Sequence, residues 1–116
     1  MKTYVGEGKV LKLVAPTGGV VSGTAYKIGS ILAVALVTAA EGAEFSGLVE
    51  GEIEVAKVST EEWTQGQLVN YDDSAKNFTE VTTGKYLAGA ATRAAANPSA
   101  TGFVKLNGTA LGAALA

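Results

Sequence analysis

The chain contains no cysteine, no histidine, two prolines and one arginine among its 116 residues. Without cysteine there is no disulfide, no thiolate nucleophile and no sulfur-ligated metal. Without histidine there is no imidazole base near neutral pH and no Ser-His-Asp type of triad. Charge is also scarce, at 17% of residues against about 25% in an average soluble domain. The formal net charge of −2 and the isolated Arg93 give no basic stripe for a nucleic-acid duplex. Long apolar runs are missing as well. The longest, Ile31 to Val37 with Ala39 and Ala40 beyond Thr38, is about half of the roughly 20 residues a spanning helix needs. Met1-Lys2-Thr3-Tyr4 does not begin a signal peptide, and no lipidation signal is visible, so the chain is expected to be mature, soluble and unprocessed.

What is present is apolar residues, 47% of the chain, and 15 glycines. That composition folds rather than staying disordered, and its length suits one domain, residues 1–116. The period is mostly two. Lys9-Val10-Leu11-Lys12-Leu13-Val14 reads as a strand ending at a Pro16-Thr17-Gly18-Gly19 turn. Ala25 to Ile28 makes a short strand. Ser30 to Thr38 reads as a strand buried on both faces. From Leu48 to Lys57, Val49, Ile53 and Val55 alternate with Glu50, Glu52 and Glu54, and Gly51 falls on the apolar face. Ser59 to Gly66 has a hydroxyl cap, early glutamates and a closing glycine, which predicts one short helical turn near residues 60–65. Gln67 to Tyr71 and the stretch through Phe78 read as strand, hairpin turn, strand. Lys85 to Arg93 and Gly102 to Leu106 complete the set, with a loop at Ala94-Ala95-Ala96-Asn97-Pro98-Ser99. Short strands at this spacing predict an all-β sandwich, jelly roll or barrel.

The motifs that resemble catalytic or binding sites each fail a test. Thr83-Gly84-Lys85 resembles the end of a P-loop, but Thr79 and Tyr86 stand where the motif needs glycine and a hydroxyl residue. Gly6-Glu7-Gly8 lacks the third glycine of a dinucleotide fingerprint. Asp72-Asp73 with Ser74 and Asn77 offers oxygen ligands, yet these are also standard turn formers. The row Glu50, Glu52, Glu54 reads first as a solvated face that discourages edge pairing, then as a dock for a basic partner, and least as an acid catalyst. Trp63 is expected to cap the core, with an interface anchor as the lesser reading. The aromatics are scattered and form no stacking platform. Asn77-Phe78-Thr79 and Asn107-Gly108-Thr109 match the glycosylation acceptor by chance. No catalytic, cofactor-binding or metal-binding residue is assigned. The apolar tail Leu111-Gly112-Ala113-Ala114-Leu115-Ala116 reads equally as an edge strand or frayed end and as a segment laid on a neighbouring subunit.

The order of motifs resembles the capsid cement, or decoration, proteins of tailed bacteriophages, often labelled predicted recombinases. The resemblance runs through Tyr4-Val5, Gly8-Lys9-Val10-Leu11, Val20-Val21-Ser22-Gly23 and Tyr26-Lys27-Ile28-Gly29. It continues with Leu32-Ala33-Val34-Ala35, Glu50-Gly51-Glu52-Ile53-Glu54-Val55-Ala56-Lys57, and Trp63 followed by Gln65-Gly66-Gln67-Leu68-Val69-Asn70-Tyr71-Asp72. Leu87-Ala88-Gly89-Ala90-Ala91 and Gly102-Phe103-Val104-Lys105-Leu106 close it, and residues from Gly108 onward lie beyond it. Gln67 stands where the family often has an acidic residue.

The resemblance implies a non-enzymatic virion protein of jelly-roll or barrel type, made in the bacterial host cytoplasm. It would bind the outer surface of the assembled icosahedral shell and bridge major capsid protein subunits as a homo-dimer or homo-trimer. No cofactor, small-molecule substrate, nucleic acid or membrane is expected as a partner. The N-terminal arm, residues 1–8, and the C-terminal tail, residues 107–116, are the expected contact regions. The alternative is an accessory β-barrel of phage recombination or packaging that binds nucleic acid, which the acidic balance disfavours. A carboxylate hydrolase would have to draw on Asp72-Asp73 or the glutamate row.

Overall fold

A computed structural model describes residues 8–108 and 110–116; the N-terminal arm, apart from Gly8, lies outside the described residues. Nine strands account for all of the regular structure there. They are β1 (Val10–Val14), β2 (Ala25–Ile28), β3 (Ile31–Ala35), β4 (Glu44–Leu48), β5 (Glu50–Ala56), β6 (Leu68–Asp72), β7 (Asn77–Thr79), β8 (Tyr86–Ala91) and β9 (Thr101–Asn107). Two antiparallel sheets result, one ordered β1-β4-β3-β2 and the other β5-β9-β8-β6-β7.

The second sheet curls into a half-barrel. Lys57, just past β5, bridges in parallel to Phe78 of β7, and the Val58 amide donates to the Phe78 carbonyl at 3.1 Å. Its concave face carries Val55, Val69, Tyr71, Val104 and Leu106, which meet Ala25, Leu32 and Val34 of the first sheet in one core cluster. This shared core makes the two sheets one domain. Burying such side chains contributes about 1.5–3 kcal/mol each. The opposite face of the first sheet has its own smaller core around Phe45 and Ala35, covered by Ala15 and Val20. Hence β3 is buried on both faces, as its uninterrupted apolar run requires.

The sequence reading missed β4. Its register sets Phe45 beside Leu13 and Gly47 beside Leu11 on one face. A Cβ on Gly47 would fall 2.9 Å from the Ala33 Cβ, so glycine occupies an inward position where a strand normally shows an apolar side chain. The alternation is thereby hidden. The run from Leu48 to Lys57 also divides: the chain passes from the first sheet to the second at buried Val49.

The helical turn expected at 60–65 is not formed. Turns at Ser59-Thr60 and Gln65-Gly66 flank an extended segment instead. Glu61 does not decorate a helix start; its carboxylate turns inward and accepts hydrogen bonds from Trp63 Nε1 at 3.1 Å, the Glu80 amide at 2.8 Å and the Thr79 hydroxyl. Trp63 pairs antiparallel with Ala95, N to O, at 2.9 and 3.0 Å. An acceptor for a buried indole N–H has outweighed local helix preference.

Candidate interaction surface

The motifs with chemical overtones resolve into structural devices. Asp72 Oδ1 accepts the Ser74 and Ala75 amides at 3.0 and 3.2 Å, its Oδ2 lies 3.2 Å from Lys85 Nζ, and Asp73 pairs with Lys76 at 2.9 Å. Burial raises the Asp72 carboxyl, but the amides and Lys85 outweigh it and hold it below the usual aspartate range. The pair closes the β6–β7 hairpin, with Lys76 in the left-handed region at φ 57°. Thr83-Gly84-Lys85 forms the turn into β8, where the Gly84 amide donates to Leu115 O at 2.8 Å.

The glutamate row divides. Glu52 and Glu54 are exposed and Glu50 is half-buried. Glu52 accepts from the Thr92 hydroxyl at 2.6 Å and lies 3.4 Å from Arg93 Nε; Glu54 accepts from Thr101 at 2.9 Å. The Thr92 hydrogen bond, with help from Arg93, holds the Glu52 carboxyl below its ordinary value. An acid catalyst needs the opposite shift. Among the described residues no group of three or more acidic side chains could hold a metal ion.

Lys57 is the group that sequence reasoning left unremarked. It is buried, and its ammonium donates to the carbonyl oxygens of Val58, Ser59, Ala96 and Ser99 at 3.0, 3.5, 3.4 and 3.1 Å. The charge also lies 5.8 Å from the Trp63 ring centroid. It ties the segment after β5 to the loop between β8 and β9. Nothing reactive is held near it, so this is a clamp. Trp63 is fully buried, which settles it as a core residue.

What the surface offers is apolar area. Val21, Leu36 and Val37 are exposed at one end of the first sheet, where the Ser22 amide donates to the Thr38 hydroxyl and the Gly23 amide to Ala35 O. Val10 and Val14 are exposed on the edge strand β1. The third area is built on the convex face of the half-barrel. A bulge at Ala88 of β8, across from the Val69–Asn70 step, leaves Leu68 opposite Ala90 and Leu87 opposite Asn70, with Leu68 64% and Leu87 49% exposed.

The C-terminal tail forms a wall beside these leucines. It folds back on its own domain: Leu111 is buried in the main core, its amide donates to Ser30 O at 2.7 Å, and the Leu115 amide donates to Lys85 O at 2.8 Å. The tail is therefore neither frayed nor paired as a regular edge strand. Between it and the sheet run two contiguous hollows of about 370 and 510 Å³, both floored by Leu68 and Leu87. Lys105 and Ala110 border the first, Glu80 and Leu115 the second.

A family model described as phage cement protein matches residues 5–106 of the chain. No curated protein and no solved structure matches it.

Proposed function

The chain belongs to the phage cement protein family, a structural rather than catalytic role at the virion capsid, and from that premise we propose the way it acts. It binds the outer surface of the assembled shell and bridges neighbouring major capsid protein subunits. The family match carries this reading, and the exposed apolar areas described above supply surface on which a protein partner fits. Binding the expanded shell in preference to its precursor stabilises that state by mass action. Many symmetric copies make a modest contact collectively strong.

The residues before β1 and the outward side of the tail are the proposed shell-contact regions. Electrostatics supports a protein partner over nucleic acid: the net charge is −2, and Arg93 is engaged over the Phe103 ring at 4.1 Å and near Glu52, whereas nucleic-acid binding draws on an excess of basic side chains. Co-sedimentation of the purified protein with expanded capsids and with proheads tests the reading. Saturable binding to expanded capsids, weaker on proheads, is expected; absence of binding to both overturns it.

A further inference from the structure

Among the described residues the two sheets end in β1, β2, β5 and β7, and three of these edges are covered or blocked. Ala25 O of β2 accepts the Tyr71 hydroxyl at 2.7 Å, and Lys27 of β2 lies over the Tyr86 ring at 4.9 Å, so the second sheet covers β2. β7 is met by Lys57 and Val58. β5 carries Glu50, Glu52 and Glu54 and has Gly51 at φ 124°, which suits it poorly to a further strand. β1 has none of these devices. Its register with β4 runs without a bulge from Val10 to Val14, and it holds no proline or glycine. At its two ends the Val49 amide donates to Lys9 O at 2.9 Å and the Ala15 amide to Ala43 O at 2.8 Å. Antiparallel bonds fall on every second residue. Leu11 and Leu13 therefore turn their main-chain groups to β4, and Val10, Lys12 and Val14 turn theirs to the open side.

We propose that this edge takes up an extended segment of the major capsid protein as a further strand of the first sheet. The main chain of the guest bonds to the amides and carbonyls of Val10, Lys12 and Val14, and the side chains beside them choose the guest. Val10 and Val14 are exposed on one face with Lys12 between them. The matching strand carries a carboxylate with apolar residues two positions away on either side, so that opposite charges and apolar pairs meet across the ladder. Lys12 also sorts the occupants. Pairing β1 with β1 of a second copy in full antiparallel register sets Lys12 against Lys12, a like-charge pair that destabilises. A hairpin with residues 1–7, through a loop of roughly two to five residues, sets Val5, Tyr4, Thr3 or Lys2 against it, none of them acidic. A capsid strand meets both conditions, and family membership makes the capsid the partner at hand. The inference rests on the shell-binding reading and names the element and the bonds through which it works.

Hydrogen exchange at single amides of the full chain, free and bound to expanded capsids, provides the test. In the free chain the Leu11 and Leu13 amides are expected to be protected and those of Val10, Lys12 and Val14 to exchange fast; on the capsid all five are protected. Lys12→Pro removes an outward amide without taking a bond from β4, a position where edge strands accept proline. It is expected to weaken co-sedimentation with expanded capsids by roughly tenfold or more with little change in the unfolding midpoint. Lys12→Glu also weakens it, and Lys12→Arg binds as wild type. Should Lys12→Pro not fold, the wild-type exchange pattern decides alone. Protection of the outward amides in the free chain overturns the proposal: if independent of concentration, the chain's own arm covers the edge, and if it grows with concentration, a second copy does. Wild-type protein that saturates the shell while these amides still exchange fast is bound elsewhere; the edge assignment is then wrong and the cement reading survives. Wild-type protein that binds no shell overturns both.

Discussion

Lys57 carries a full positive charge into the interior, where an ammonium without partners is costly. Four carbonyls and the Trp63 ring offset that cost. Replacing it in Lys57→Met keeps the stem's volume but leaves the carbonyls of two loops without their donor. The expected loss is about 2 kcal/mol, read as a fall of roughly 8 °C in Tm. Trp63 sets a second limit. A Cβ on Gly102 would lie 2.5 Å from Cζ3 of its indole, so Gly102→Ala forces the ring or β9 to move. That overpacking is expected to destabilise by about 1–3 kcal/mol, measurable by urea unfolding; an unchanged midpoint contradicts it. Asp72 adds a dependence on pH. Its carboxyl is held below the ordinary 3.8, so its contribution is full above that value and is lost as pH falls through the lowered one. Thermal melting is expected to hold steady from neutral pH down to about 5 and to decline below about 4, less steeply in Asp72→Asn.

At the level of elements, strands with period-two alternation were legible in sequence: β1, β5 and β9 each show inward apolar residues at every second position. β3 was legible for the opposite reason, since only a doubly covered strand tolerates Leu32, Ala33, Val34 and Ala35 in succession. Local pattern failed where a distant residue decides the conformation. Gly47 reads as a break in the alternation, yet it is a strand residue whose side-chain space is filled by Ala33. Glu61 reads as a helix-start glutamate but serves the Trp63 indole and the segment after β7. The leucine-floored hollows were equally illegible, because Leu68 and Leu87 face the same way only through the β8 bulge at Ala88, and Leu115 joins them only by a return of the chain. Leu111 anchors that return. Leu111→Ala is expected to lower stability by about 2 kcal/mol and to speed hydrogen exchange at the Leu115 amide well before global unfolding. Equal exchange in both proteins would mean that the tail is held independently of Leu111.

For the whole molecule, a charge content of 17% acquires a structural meaning. The missing charge is replaced by valines and leucines exposed on the β1 edge, at the end of the first sheet and along the convex face of the half-barrel. A β-protein with such areas is protected from aggregation when other subunits cover them. Family membership identifies the setting as a capsid, and linkage makes the consequence measurable. If the protein binds the assembled shell and not its dissociated subunits, saturating protein must raise the temperature at which the shell comes apart. The most direct test follows disruption of undecorated expanded capsids on heating, by light scattering and release of packaged DNA, with and without added protein. The account predicts an upward shift that saturates as the binding sites fill. An unchanged disruption temperature at saturating occupancy would contradict it.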